Sequence, residues 1–546
     1  MNYFLTYTVY VLILSVLMGI STWKLFKKLG YSPLFAFIPF YNYFIILKET
    51  KHPKRWAILS YLPIVGPIMM SVFHIYLMKK FGKSLFQHQL LTVILPFIYM
   101  ATVNYSKDVE IEDENELFLT EEEKNAKKKD TFLGSITFAV VFATIIHVFV
   151  TQPFGIPTGS MERTLLVGDF LFVNKWSYGY RMPMRPVAIP FLQGTIMDTG
   201  QPNNPKDDPK SYVDAVKLPY TRILQFSKPQ KNDVVVFNYP QDSVHTAIDR
   251  KDPYVKRCVA TAGDTFEMRA GRLFVNGKPE TILGDQEVQH GYLVTTGSQL
   301  DIPALYNTYG FLPVQEQQTQ TGFVYGFQGL TDKTAKEIKE LPQVIDMKEN
   351  VMPKGEASIA YKNEERTKID TTQSIFPVNK PWNQDWYGPV RIPKKGDVVT
   401  INKETLPMYR WIISEYEHNS VSVNGDQILI NGKREASYTI KQDYYMMVGD
   451  NRDASLDARF FGFVPEENIV GKPMFTWMSV QGAFKDGGSS YQAPFKIRWE
   501  RMFKATNTGE ANKTSYWWIA AMILILFFGW EYFMKLFKKK KTEDEL

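Results

Sequence analysis

The chain has 546 residues, too many for one small domain and enough for a membrane section plus one large or two smaller globular units. Lys+Arg 63 against Asp+Glu 57 leave a formal charge of +6, which is too diluted along this length to indicate a nucleic-acid partner. The single cysteine, Cys258, excludes an intrachain disulfide and any multi-cysteine zinc site. The histidines are scattered without an HExxH or HxH pair, so neither a metal nor an organic cofactor is expected.

Residues 1–104 read as a multi-span membrane region, with apolar runs near Tyr3 to Trp23, Tyr31 to Leu47, Trp56 to Met78 and Leu90 to Val103. The basic clusters Lys24 to Lys28, Lys48 to Arg55 and Lys79 to Lys83 cannot all be cytoplasmic if every run spans. One or more runs is therefore expected to be re-entrant or interfacial, and Pro63, Gly66 and Pro67 suit a broken or hairpin segment. No small-residue cleavage site follows the first run, so it does not read as a cleaved signal peptide. Residues 105–130 form a charged linker, acidic through Glu123 and basic after it. The uncharged run Phe132 to Val150, in an anchor at 131–151, follows Lys127, Lys128 and Lys129, which places its N-terminal end in the cytoplasm.

From 152 to 514 short β-branched and aromatic runs alternate with Gly, Pro, Asn and Asp, the pattern of a mainly β domain. One pattern occurs twice. Lys231 to Asn238 is followed by Arg272 to Lys278, and Lys395 to Asn402 by Gln427 to Lys433, each ending in an Asn-Gly hairpin turn. Either a partial duplication or ordinary hairpins would produce it. An insertion at about 279–389, rich in Gln, Thr and Gly, shows no catalytic constellation; Lys333 to Leu341 adds one short helix. A second span follows at Ser515 to Met534, flanked by Trp517, Trp518, Trp530 and Tyr532, and then a basic tail at 535–546. Both spans imply that Thr151 to Thr514 lies outside the cytoplasm.

Three segments carry chemistry. In Pro157-Thr-Gly-Ser-Met-Glu-Arg-Thr-Leu165, Ser160 follows the anchor by a few residues, and Gly159 frees the backbone for an N–H to approach a substrate carbonyl. In Tyr254-Val-Lys-Arg-Cys-Val-Ala260, strand alternation puts Lys256 on one face with Cys258 and Ala260. A lysine among such neighbours loses hydration, which lowers its pKa from about 10.4 toward neutrality, unless it snorkels to water. The third segment, Val448-Gly-Asp-Asn-Arg-Asp-Ala-Ser-Leu-Asp-Ala-Arg459, interleaves acids and arginines as a partly buried ion network does.

In this order behind a membrane anchor, the three segments resemble the serine box, lysine box and GDNRDxSxDSR box of bacterial signal peptidase I. The resemblance covers the anchor and the catalytic core, but neither the insertion nor the first hundred residues. It implies a signal-peptidase-type β fold carrying transmembrane helices at both ends, a bacterial inner-membrane location and an extracytoplasmic active site. It also implies a serine endopeptidase that removes signal peptides from preproteins by a Ser/Lys dyad, through an acyl-enzyme, after Ala-x-Ala. Carried over residue by residue, Ser160 is the nucleophile and Lys256 the general base. Thr158 and Ser160 form the oxyanion hole, and Ser455 orients the lysine. Arg257 with Asp450, and Asp457 with Arg459, are structural ion pairs. Partners are preproteins, the lipid bilayer and the secretion translocon, with no nucleic acid and no metal. Departures are Arg163 where proline is usual, Ala260 and Ala262 for Gly and Pro, and Ala454 and Ala458 in the third box.

Three other readings compete. A repressor-type Ser/Lys autoprotease would be soluble and joined to a DNA-binding domain. A penicillin-binding type of enzyme needs Ser-x-x-Lys, matched here only by Ser21 and Lys24 in a membrane segment. A membrane scaffold that kept the fold and lost the chemistry would not need Ser160, Lys256 and Ser455 together.

Overall fold

A computed structural model of the chain describes residues 2–107, 109–111, 121–197, 208–242, 244, 247–284, 286–363, 366–425, 427–484, 494–506 and 522. Two compact units result, one of Met1–Gln152, Gly179–Gln225 and Ser243–Asp252, the other of Pro153–Tyr178, Phe226–Asp242 and Pro253–Leu546.

The first unit is helical through its N-terminal part. Helix Tyr3–Lys28 is capped by Asn2, whose side chain accepts from the Phe4 N–H, and is long and apolar enough to cross a membrane by length and composition. The other apolar runs are interrupted. Tyr31 to Leu47 becomes a 3-10 turn, Pro33–Phe37, and the helix Tyr41–Glu49. Trp56 to Met78 divides into Lys54–Tyr61 and Val65–Lys80, with the joint at Pro63 and at Ile64, whose φ of 68° no helix contains. Pro96 separates Phe86–Ile94 from Pro96–Tyr105, because its ring excludes the preceding residue from the helical region. Phe26, Tyr43, Phe73 and Leu77 centre the core. The run Phe132 to Val150 lies, up to Phe149, in the helix Glu121–Phe149. The second expected span and the basic tail fall outside the described residues, Met522 excepted.

The second unit is mainly β. Its nine-stranded sheet has a central order Asp169–Asn174, Ile469–Gln481, Val234–Asn238, Pro253–Ala260, Tyr444–Val448, Val464–Pro465, antiparallel at each junction. Val234–Asn238 and Tyr444–Val448 are buried throughout, which explains their nearly unbroken apolar sequences. Cys258, Met446 and Val448 sit in the main core, where burial pushes the cysteine thiol well above its ordinary pKa. Opposite Pro253–Ala260 the register slips between Met446 and Met447, so strict two-residue alternation stops short of Ala260.

The two Asn-Gly turns form as expected, with positive φ at Asn276, Gly277, Asn431 and Gly432. Their settings differ. The first copy's leading strand, Val234–Asn238, is central in the large sheet, whereas the second copy's, Val398–Thr400, forms a two-stranded sheet with Ser437–Thr439 among the described residues. The insertion is a β subdomain of four strands in the order Gln315–Thr319, Gly322–Thr331, Gln289–Thr296, Val344–Glu349, with its own core of Val294, Leu305, Tyr325, Phe327 and Ile338. It carries the expected helix, at Asp332–Lys339, and a second one at Ile302–Tyr309 that periodicity did not suggest.

Entry into Asp169–Asn174 depends on Gly168, at φ 89°, where an added Cβ would lie 1.9 Å from the Val480 carbonyl oxygen. Beside it Asp169, fully buried, accepts from Ser479 Oγ at 2.6 Å and from Arg501 Nη2 at 2.6 Å. Gly168→Ala combines a left-handed conformation with a backbone clash, and the expected cost is about 2 kcal/mol or more. Thermal unfolding followed by tryptophan fluorescence should show a midpoint several degrees lower; an unchanged midpoint would contradict the clash.

Candidate active site

Ser160 sits in a short 3-10 turn, Gly159–Met161, preceded by extended Thr158. Its carbonyl accepts from the Asn451 N–H at 3.2 Å, and the Asn451 side chain donates to the Gly159 carbonyl at 3.1 Å. These bonds fix the serine turn from the third segment. Gly159 is not at positive φ, and a Cβ there would meet only the flexible Glu162 carboxylate, at 3.3 Å. The close-approach glycine is instead Gly449, where a Cβ would lie 2.2 Å from Ser455 Oγ and 2.4 Å from the Ser160 carbonyl oxygen.

Lys256 lies in Pro253–Ala260, paired in register with Val235. Both faces of that strand are covered, so the lysine does not snorkel: it is 4% exposed. Its Nζ stands 2.6 Å from Ser160 Oγ and 3.0 Å from the Val255 carbonyl, with the Tyr254 ring centroid at 5.5 Å. Burial lowers the Lys256 pKa to about 8, although the Asp457 and Asp450 carboxylates pull the other way.

Each of those carboxylates is held by its own arginine. Arg257 grips Asp450 through Nε to Oδ1 at 2.8 Å and Nη2 to Oδ2 at 2.6 Å, and Thr164 Oγ1 donates to Oδ2 at 2.6 Å. Arg459 grips Asp457 at 2.9 and 2.8 Å, and the Gly449 N–H donates to the same carboxylate at 3.1 Å. Burial disfavours charge at both acids, but the guanidinium partners prevail and hold the carboxyls below their ordinary range.

Thr158 is exposed, and its hydroxyl does not cap the turn that follows. Ser455 Oγ is buried and makes no hydrogen bond to the lysine; it lies against Gly449 and helps hold Asp457 in its charged form. Ser21 Oγ donates to its own helix at Leu17 O, 2.8 Å away, while Lys24 Nζ lies over the Tyr105 ring, so that pair is not brought together.

Sequence reasoning missed several members of the site. Arg452, almost fully buried, forms a two-bond pair with Glu280 at 2.8 and 2.7 Å. Gln289 donates to the Glu162 carbonyl at 3.0 Å, and Asn451 braces the serine turn. Arg452 and Asn451 stand in the third segment and were open to notice there. Glu280 and Gln289 belong to the insertion and carry no local signal.

Residues 129–346 and 388–478 match the family described as signal peptidase, peptidase S26, over more than half of the chain. The chain belongs to the signal peptidase family. Signal peptidase I of Haemophilus influenzae is 26% identical over 471 residues, covering 85% of this chain and 99% of the relative. That of Helicobacter pylori is 24% identical over 377 residues, 68% of this chain and 92% of the relative. That of Pseudomonas aeruginosa reaches 31% over 157 residues, 28% of this chain and 41% of the relative. Residues 34–112 also match a family of unknown function. The signal peptidase match takes in the serine turn, the lysine strand and the third segment together, and omits residues 347–387, the later part of the insertion.

Replacing Asp450 by Asn in this signal peptidase family member would leave the Arg257 guanidinium buried without its counter-charge, at an expected cost of roughly 3 kcal/mol. The stability Asp450 contributes is fully present above the ordinary carboxylate range, near pH ~4, and is lost as pH falls through its lower folded-state pKa. Asp450→Asn should therefore melt well below wild type at pH 7, with the gap narrowing on acidification. Equal melting at pH 7 would show the pair to be dispensable.

Proposed function

We propose that this chain removes signal peptides from preproteins as a serine endopeptidase, with Ser160 as nucleophile and Lys256 as general base. The observation that carries the reading is the 2.6 Å separation of Lys256 Nζ from Ser160 Oγ, with the amine buried and its pKa lowered to about 8. At that value a useful fraction of the amine is neutral near pH 7 and can accept the serine proton.

The neutral amine takes the Oγ proton as Oγ attacks the scissile carbonyl carbon. Charge that develops on the carbonyl oxygen is met by the Ser160 N–H and the Thr158 hydroxyl. As the C–N bond breaks, the Lys256 ammonium returns its proton to the departing amine. The acyl ester remains on Ser160. Water, deprotonated by the same amine, then hydrolyses that ester. Ser455, in the same small space as the Ser160 carbonyl and Gly449, orients the amine when substrate engages the serine. The Arg257–Asp450 and Asp457–Arg459 pairs hold the framework.

A preference for small side chains before the cut, as in Ala-x-Ala, is supported by the fully buried cluster of Ile156, Met161, Leu165, Leu171 and Val234, against which Val255 packs. It flanks the dyad in sequence on both sides, at Met161 and Val255. A substrate strand laid along Gly155 to Thr158 would meet this close-packed surface. Membrane attachment through Tyr3–Lys28 and the helix ending at Phe149 would bring the dyad to substrates whose apolar segment is itself in a bilayer. An inner-membrane location with 152–514 outside the cytoplasm, and cooperation with the secretion translocon, complete the reading.

Ser160→Ala and Lys256→Ala should each lower processing of a preprotein with an Ala-x-Ala site by about 10³-fold or more. Lys256→Arg should fail equally, because a guanidinium stays protonated. Undiminished processing by either alanine variant would refute the dyad. For wild type, kcat/KM should rise with pH through an apparent pKa of about 8, since only the deprotonated amine is the base. A profile flat from pH 6 to 9 would speak against Lys256 in that role.

A further inference from the structure

A cleft of about 970 Å³ opens beside the serine turn, and one of its walls comes from the insertion. Thr158, Gly159, Glu162 and Arg163 line one side; Tyr306, Asn307, Phe311 and Leu312, at and after the end of helix Ile302–Tyr309, line the other. Ser160, Lys256 and Val255 do not border it; the cleft meets the site through the neighbours Thr158, Gly159 and Ser455. The two sides of a scissile bond leave the nucleophile in opposite directions. With the acyl side laid along Gly155 to Thr158, this cleft, bordered by Gly159, Glu162 and Arg163, is open to the amine side.

The wall is fixed to the catalytic segments. Arg163 has φ 70°, a left-handed conformation that is unfavourable for a non-glycine residue and persists where surroundings compensate. That conformation accompanies three contacts with the insertion. Nη2 donates to the Tyr309 carbonyl at 2.7 Å, the guanidinium lies 4.3 Å from the Phe311 ring centroid, and Nε is 3.4 Å from Glu287. The Tyr309 carbonyl is at the C-terminal end of its helix, where a cation is favoured. Gln289 ties the insertion to both segments, donating its N–H to the Asp450 carbonyl at 3.0 Å and its side-chain amide to the Glu162 carbonyl at 3.0 Å. At Gly329 a Cβ would fall 2.6 Å from Asn451 Oδ1, so the insertion strand packs directly on the residue that braces Ser160.

We infer that the insertion is a substrate-reading element: its Tyr306 to Leu312 wall, locked to the serine turn by Arg163, binds the first residues of the polypeptide on the amine side of the scissile bond. This rests on the peptidase reading above and adds to it the substrate segment that the cleft takes. Tyr306 and Leu312 give this wall apolar surface over the buried Phe311, so it favours an apolar or aromatic side chain among the two to four residues after the cut, while Glu162, Arg163, Asp453, Lys496 and Arg498 make the rest of the cleft charged.

Two peptide substrates sharing one Ala-x-Ala acyl side test this with full-length protein in detergent. One ends a single residue after the cut, and the other continues for five residues that include a phenylalanine. Wild type should prefer the long peptide. In Phe311→Ala, and in Asn307→Trp at an exposed position that narrows the cleft without touching the core, the long-to-short ratio of kcat/KM should fall about three- to tenfold, carried by KM. Phe311→Tyr should restore it. An unchanged ratio in both variants, with the peptides still cut, overturns the cleft assignment alone. Failure of wild type to cut either peptide overturns the peptidase reading and this one with it.

Discussion

A primary amine kept out of water is the constraint on which this architecture turns. Dehydrating Lys256 pushes it toward the neutral form, and Asp457 and Asp450 pull it only part of the way back. Two paired arginines limit that pull: each carboxylate spends its strongest hydrogen bonds on Arg257 or Arg459. Buried ion pairs are weak contributors to net stability. Here their value is electrostatic and positional, since the same aspartates accept from Thr164 and from the Gly449 N–H and so join the serine turn, the lysine strand and the third segment.

Ser160 and Lys256, the proposed dyad, stand out in the sequence because each sits in a short pattern whose chemistry is local: a serine next to small residues after an apolar run, and a lysine inside a strand of apolar neighbours. Their meeting was not legible from spacing, because 96 residues separate them and the sheet order that joins them is set by pairings along the whole unit. The asparagine-glycine turns were readable for a similar local reason. Gly159 looked like the residue required for close approach, yet Gly449 holds that place, since the requirement comes from Ser160 and Ser455 folding back onto it. Helix Ile302–Tyr309 had its signals in view, an Asp301 cap, Pro303 in the first turn and Gly310 in the left-handed conformation after the end, but eight residues are too few for periodicity to emerge. In the helical unit Pro63, Gly66 and Pro67 point to the break in the third apolar run, whereas the break at Pro96 in the fourth goes unread because hydropathy alone does not register a single residue.

The insertion illustrates how little composition says about position. Rich in glutamine, threonine and glycine, it shows nothing catalytic on its own. Yet Glu280, Gln289 and Gly329 place it against Arg452, Glu162 and Asn451. Its Gly329 and Gly322 are positions of close backbone or side-chain approach. Arg163, a departure from the signal peptidase pattern, becomes intelligible beside the insertion, because a proline there would supply neither the cation over Phe311 nor the donor to Tyr309.

Cys258 has a practical consequence. The chain's sole thiol is wholly enclosed and strongly disposed to stay protonated, so alkylating reagents and maleimide dyes find no native target while the fold is intact. A cysteine introduced at any exposed position would then be the one site labelled. Paired reporters placed this way would allow distances within the catalytic unit to be followed spectroscopically, without first removing a background thiol from the core.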